Sequence, residues 1–294
     1  MIDVMIQDVT GKQIDTKVFS GGEVHVEIPS YSSRKHYVDF IEVTARIRSA
    51  QDAMSLFMVM SAIEHNYNSK HTTIKIPYFP YARQDRVCSP GQAFGLKKFA
   101  ELLNTCKYDE LWVTDPHSDV IYGCFDNRLN VITQEEVLSQ CKHSIERING
   151  LQMDLSYDCI VAPDAGASKK ASKIASMFNL PLVQCLKKRD PQTGNLSGFE
   201  VCGHVTSSCL IVDDICDGGG TFVGIAEKLK EGGSQHIDLF VTHGIFSKGL
   251  GVFDGKINGI FTTNSFADKN TEELLRNNYP RSSDFPCKLH VIKI

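Results

Sequence analysis

The first half of the chain is written in alternating apolar and polar positions. VHVEIP at 24–29 alternates as a half-buried strand does, and DVMIQDV at 3–9 and HYVDFIEV at 36–43 also read as strands. From Asp52 to Tyr67 the period changes: Ala53, Leu56, Phe57, Met60 and Ile63 fall on one apolar face, which predicts a helix. TIKIP predicts a strand ending at Pro77 and opening into a polar loop, Phe94 to Asn104 a helix, and LWVTDP a further strand. The second half keeps the rhythm. Strand CIVAP at 159–163 precedes the helix AGASKKASKIASMF and a hairpin-like excursion, LVQCLKKRDPQTGNLSGFEVCGHV. Then come a short strand, LIVDD, a glycine loop, the helical pattern GIAEKLKE, and the strands DLFVTH, GIFTTN and LHVIKI. Strands alternating with helices argue for parallel α/β sheets. AELLNTCKYDELWVTD at 100–115 resembles AEKLKEGGSQHIDLFVTH at 226–243 with a two-residue insertion, which supports duplication. The expected domains are 1–145 and 146–294, with the boundary between Cys141 and Asp158.

Composition narrows the class. A chain of 294 residues can bury two cores, and 42% hydrophobic with 22% charged residues is a globular balance. A net charge of −4 with no Lys/Arg run gives nucleic acid no basic field, and the apolar runs are far too short to span a membrane. Ten cysteines without a C-x-x-C pair or a signal peptide read as reduced thiols in a cytoplasmic setting. Cys202, Cys209 and Cys216 fall seven apart and are assigned to separate strand and loop contexts.

Chemistry concentrates in LIVDDICDGGGT at 210–221. A buried strand, two carboxylates at its end, a glycine turn and a helix start describe a ligand crevice at the mouth of a parallel sheet. Gly218, Gly219 and Gly220 let N–H groups turn inward, and the helix adds its positive end, which makes a phosphate cradle. Asp213 and Asp214 beside it suit sugar hydroxyls or a magnesium ion; a tight turn with a helix cap is the plain alternative. The stretch resembles the phosphoribosyl-diphosphate loop of type I phosphoribosyltransferases and of ribose-phosphate diphosphokinases (PRPP synthetases). Their pattern is two acidic residues, two spacers, then Asp-Thr-Gly-Gly-Thr, and Gly218 here replaces the first threonine.

IPYFPYARQDR at 76–86 separates those two groups, because it resembles the ATP loop of the diphosphokinases and has no counterpart in the transferases. Arg83 and Arg86 can pair with phosphate oxygens bidentately, with Gln84 and Asp85 giving donors and acceptors to base or ribose. FSGGEVHVEI at 19–28 resembles the family's nucleotide segment, with Gly21 where the family has Asp. By that resemblance Phe19 stacks on adenine and Glu23 accepts from its amino group. Asp115-Pro116-His117 followed by IYGCF resembles another family segment, which makes His117 a candidate magnesium or phosphate ligand. Ala162-Pro163-Asp164 with Gly166 resembles Pro-Asp-x-Gly-Gly, and Asp164 is the implied oxygen ligand on the metal's other side. Lys187, Lys188 and Arg189 lie on the excursion that resembles the family's mobile catalytic loop. Its Lys-x-Arg signature selects Lys187 and Arg189, while alignment back from Pro191 selects Lys188.

The resemblance implies two similar type I phosphoribosyltransferase-like domains, each a mainly parallel sheet flanked by helices, forming a homo-oligomer. The N-terminal domain is to bind ATP and the C-terminal domain the ribose phosphate. The implied reaction is magnesium-dependent transfer of the β,γ-diphosphate of ATP to the anomeric hydroxyl of ribose 5-phosphate, releasing AMP. Asp213 and Asp214 are to hold the sugar, and Asp217, Gly218, Gly219, Gly220 and Thr221 its 5-phosphate. Gly218 removes a donor and is expected to leave open space, through which a 5-phosphate extended into a diphosphate, as in ADP-ribose, could pass. A phosphoribosyltransferase and a non-catalytic regulatory relative are the other readings. VCSPGQAFG after Arg86 departs from the family's basic run, which argues against family-type phosphate regulation.

Overall fold

The computed structural model describes residues 1–6, 9–28, 35–139, 157–189, 196–266 and 288–294. They form two compact units, Met1–Ile132 and Thr133–Ile294. The first opens with β1 (Ile2–Ile6), β2 (Val9–Ile14) and a separate two-stranded hairpin of β3 (Thr16–Val18) and β4 (Val24–Val26). β5 (His36–Ala45), α1 (Ala50–Asn66), β6 (Tyr67–Ile76), α2 (Gly95–Leu103), β7 (Glu110–Thr114) and β8 (Leu129–Ile132) follow. Sheet order is β2-β1-β5-β6-β7-β8, parallel from β5 to β8 and antiparallel at the β1 and β2 edge. α1 buries Leu56, Val59, Met60 and Ile63, as its apolar spacing requires. Ser49 caps it by accepting from Asp52 N at 3.1 Å, and Asp52 in turn accepts from Arg48 N at 2.9 Å.

The second unit contains β9 (Cys159–Ala162), α3 (Ser168–Phe178), β10 (Leu182–Arg189), β11 (Leu196–Cys202) and β12 (Ser208–Cys216). α4 (Gly220–Glu231), β13 (His236–Gly244), β14 (Gly259–Thr263) and β15 (Lys288–Ile292) complete it. Its order is β11-β10-β9-β12-β13-β14-β15, parallel throughout except for the β10–β11 hairpin. The central strands are buried along their length, so they carry apolar runs rather than alternation.

Several expectations change. LIVDD is the middle of a longer strand, so both carboxylates lie within β12 rather than at its end. α4 begins at Gly220, so Gly220 and Thr221 belong to its first turn. Cys209 and Cys216 share β12 instead of occupying separate contexts, while Cys202 ends β11. The division between units falls after β8 because the helical residues 134–139 bond into the second unit, Lys173 Nζ meeting Glu135 Oε1 at 3.0 Å. Most of the expected boundary stretch, residues 141–156, lies outside the described residues.

Candidate active site

In the first unit the loop after β6 is pinned by aromatics. Phe79 is buried and meets Phe99 and Phe125 edge-on at 5.4 and 5.8 Å, so the aromatic part of YFPY anchors the loop in the core. Tyr81 sits at φ 60°, and its carbonyl accepts from Gln84 N at 2.9 Å, turning the chain toward the arginines. Arg86 donates from Nε and Nη2 to the two oxygens of Asp85 at 2.9 and 3.0 Å. The Asp85 side chain is 5% exposed and that of Arg86 72%. Arg86 holds the Asp85 carboxyl below the usual carboxylate range against the opposing effect of burial, with Ser118 and His117 adding to the effect. Asp85 is thus a clamp that presets Arg86, and its oxygens are engaged before any base or ribose arrives. The side chain of Gln84 packs on Gly95, where any Cβ would collide with Oε1, and its carbonyl accepts from Leu96 N at 3.2 Å. Arg83 and His117 are exposed at the same mouth, with His117 following Asp115 at φ 40°.

In the β3–β4 hairpin, Phe19 N donates to Glu23 O at 2.9 Å and Gly22 turns at φ 91°. Phe19 is 56% exposed, and its ring tilts against His25 at 5.6 Å. Glu23 folds over Gly21: a Cβ there would lie 2.7 Å from Oε2. The carboxylate of Glu23 thus occupies the place a side chain at position 21 would take.

In the second unit three carboxylates and two lysines gather. Asp164 Oδ1 accepts from Ala167 N at 3.1 Å, while Oδ2 pairs with Lys187 Nζ at 2.7 Å. Burial works to raise the Asp164 pKa, but Lys187 and the N–H groups of Ala167 and Gly166 overcome it and hold it low. Ala167 adopts an ordinary right-handed conformation (φ −76°, ψ −15°), which explains why alanine serves where the family pattern has glycine. Lys187 lies on β10, paired across the hairpin with Phe199, rather than on an irregular loop. The side chains of Lys188 and Arg189, and Pro191, lie outside the described residues. Asp213 is pushed well above the usual carboxylate range by burial and then by the charge of Asp214, with Asp164 adding to it. Asp214 is itself buried and lies 3.7 Å from Lys170 Nζ.

The glycine loop closes onto α4. Gly219 is the N-cap at φ 78°, and a Cβ there would sit 2.6 Å from Phe253 Cζ, so only glycine fits. Gly220 faces open space, and no side chain caps this helix. A helix start without a side-chain cap is of the kind that suits an anion. Gly218 is different. It has no positive φ, and the space beside it is not open: the stem of Lys248 crosses it, with Cδ and Cε each 3.4 Å from where a Cβ would be. Sequence reasoning missed Lys248, which lies in a segment without a motif. It also missed Gln134, buried, whose Nε2 donates to Asp213 O at 2.6 Å and Thr242 Oγ1 at 3.2 Å.

Among the described residues no three His, Cys, Asp or Glu side chains already converge as a metal cage. Mg²⁺ commonly takes one or two carboxylates and fills its shell with water and substrate phosphate. Asp164, whose carboxyl is held low despite its burial, is a carboxylate of that kind, so the residue fits magnesium.

Two mainly parallel sheets, one opening into an arginine loop and the other into a glycine turn beside carboxylates, define an α/β protein of the phosphoribosyltransferase type. Residues 5–106 match the N-terminal domain of ribose phosphate pyrophosphokinase, and residues 129–249 match the phosphoribosyl transferase domain. The chain is 32% identical over 231 residues to the ribose-phosphate pyrophosphokinase of Haemophilus ducreyi, spanning 78% of this chain and 70% of that protein. The Haemophilus influenzae protein of the same description is 30% identical over 231 residues, with the same coverage of 78% and 70%. The fold is similar to that of phosphoribosylpyrophosphate synthetase from Mycobacterium smegmatis, with a TM-score of 0.76, 24% identity, and coverage of 97% of this chain and 87% of that one. The chain belongs to the ribose-phosphate pyrophosphokinase family.

Proposed function

We propose that the protein transfers the β,γ-diphosphate of ATP to the anomeric hydroxyl of a 5-phosphorylated ribose, releasing AMP. The observation that carries this is the Arg86–Asp85 clamp at the mouth of the first sheet. A guanidinium held bidentately by a buried carboxylate, and exposed on its other side, is preset for a polyphosphate. A phosphoribosyltransferase has no use for such a device. ATP is assigned to Phe19, Glu23, Arg83 and Arg86, with Gln84 and Asp85 shaping their loop. The acceptor is assigned to the second unit, its hydroxyls to Asp213 and Asp214 and its 5-phosphate to residues 217–221. The anomeric oxygen attacks the β-phosphorus, the bond from that phosphorus to the oxygen shared with the α-phosphate breaks, and AMP leaves with that oxygen.

Magnesium would neutralise charge on the transferring group beside the substrate phosphates, with Asp164 as its proposed oxygen ligand in the second unit. In the first unit His117 is the candidate magnesium or phosphate ligand. Lys187, Lys188 and Arg189 are assigned to the same charge as it spreads in the transition state. ATP incubated with ribose 5-phosphate and Mg²⁺, with products identified by mass, tests the reading. AMP and a ribose carrying two more phosphates support it, whereas ADP overturns it. ADP-ribose is the second acceptor to test, because the wall beside Gly218 is a flexible side chain rather than a fixed one.

A further inference from the structure

Lys248 forms a wall of the glycine cradle, and the backbone around it is built to put it there. Ile245 N and Phe246 N donate to Cys216 O at 2.9 and 3.2 Å, and Ser247 N donates to Asp217 O at 3.2 Å. The segment after β13 is thereby fastened to the loop that leads from β12 into α4. Phe246 at φ 48° and Gly249 at φ 72° bend it, and Gly249 N closes the turn on Phe246 O at 2.8 Å. Phe253, buried beyond the turn, is the same ring that packs on Gly219. Lys248 is exposed, but its stem lies across Gly218, and its ammonium is one bond beyond the Cε that is 3.4 Å from the Cβ position.

Charge pairing sets it apart from its neighbours. Lys187 is paired with Asp164 and Lys170 lies beside Asp214, whereas Lys248 makes no ion pair with any described residue. An unpaired ammonium at the rim of an anion cradle is placed for an anion that reaches past the cradle. A threonine at position 218 would offer a neutral hydroxyl to the first phosphate and a fixed wall. Glycine with a lysine laid over it offers a movable wall with a positive charge instead. A terminal monophosphate keeps both of its charges inside the N–H cradle. A diphosphate linkage carries one charge on each phosphorus, and the second lies outside, where only a rim cation can meet it.

We propose that Lys248 sets acceptor choice, its ammonium binding a second phosphate joined to the acceptor's 5-phosphate. The enzyme then favours ribose 5-diphosphate-type acceptors over ribose 5-phosphate. This rests on the reading of residues 217–221 as the acceptor's phosphate site. Calorimetric titration of the full chain with ADP-ribose and with ribose 5-phosphate tests it, using wild type, Lys248→Met and Lys248→Arg. Methionine keeps a stem over Gly218 and removes only the charge. The expected result is tighter binding of ADP-ribose by wild type, a loss of about tenfold or more for ADP-ribose in Lys248→Met with less than about threefold for ribose 5-phosphate, and recovery in Lys248→Arg. A ratio of the two affinities that is the same in wild type and Lys248→Met overturns the proposal, as does a wild type that prefers ribose 5-phosphate. If AMP is still formed with ribose 5-phosphate in either case, the acceptor inference alone has failed. Binding of neither acceptor, with no AMP formed, overturns the site reading along with it.

Discussion

One substitution removes Lys187 both from its ion pair and from the catalytic role proposed for it, and the two expected losses differ greatly in size. Its Nζ lies 2.7 Å from Asp164 Oδ2, with 31% and 33% of the two side chains exposed. At that exposure water screens most of the Coulomb attraction, and such a pair contributes about 0.2–1 kcal/mol. Lys187→Met, which keeps most of the stem, should therefore lower the unfolding temperature by no more than about 4 °C. The catalytic role proposed for it is larger. A preset cation that meets charge appearing only in the transition state is worth about 10²–10³ in turnover, or about 2.7–4 kcal/mol. The KM for ATP should stay within about twofold, because the interaction lost is absent from the ground state. AMP release under saturating acceptor, measured beside thermal unfolding of the same preparation, gives both numbers. Turnover within about threefold of wild type would refute the assignment. If Lys188→Met is then inactive, the catalytic cation is one residue further along. A fall in unfolding temperature well beyond that bound would make Lys187 chiefly structural.

Chelation should abolish AMP release and Mg²⁺ restore it, with Asp164→Asn raising the Mg²⁺ concentration needed for half activity; undiminished activity in chelator contradicts the metal assignment. Asp85→Asn should raise the KM for ATP about tenfold by releasing Arg86 from its bidentate clamp, read from initial rates. Gly219→Ala should destabilise by more than about 1 kcal/mol, given φ 78° and the Phe253 contact, while Gly220→Ala stays close to neutral in a denaturant titration. Burial works to raise the Asp52 carboxyl, but Arg48 N–H, the N-terminal ammonium and Ser49 hold it below its ordinary value. Its stabilisation is therefore present above the unfolded-state pKa and lost as pH falls through the folded one. Asp52→Asn should flatten that dependence, at a cost of about 1 kcal/mol near neutral pH.

The periodic elements were legible because burial on a sheet or helix face leaves a direct trace in spacing. Ala53, Leu56, Met60 and Ile63 announce α1, and the run 210–212 announces a two-faced buried strand. The strand's true end at Cys216, two residues past LIVDD, was hidden because a carboxylate pair looks like the start of a loop. Parallel pairing to β13 nonetheless carries the ladder through Cys216. Motifs marked the candidate ligand loops but blended two kinds of residue. In the arginine loop Phe79 and Asp85 are support, the first as a core anchor and the second as a clamp, while Arg86 faces out. Nothing local marks that division, since it depends on Phe99 and Phe125 from later in the chain. Lys248 and Gln134 were invisible for the same reason: each meets the site only through folding, across 30 residues from Gly218 and 79 from Asp213 respectively.

The treatment of helix starts separates the loops assigned to ligands from plain connections. α1 has Ser49 at its N-cap and Asp52 in its first turn, so its orphan N–H groups and positive end are already answered. α2, α3 and α4 have neither a side-chain cap nor an acidic residue in the first turn. Each of these three follows a segment assigned to phosphate, metal or nucleotide. β6 lies between β5 and β7 in its sheet and leads to α2, as β12 lies between β9 and β13 in its own and leads to α4. The two units therefore use one device at one place: a central parallel strand whose following helix is left uncapped. They differ in what stands before the helix. In the second unit a three-residue glycine turn brings backbone N–H groups close, which suits a single phosphate held tightly. In the first, Gln84 packs on the start of α2, and the loop offers exposed arginines instead. Side chains of that reach suit a polyphosphate, whose several charges no single helix end can meet.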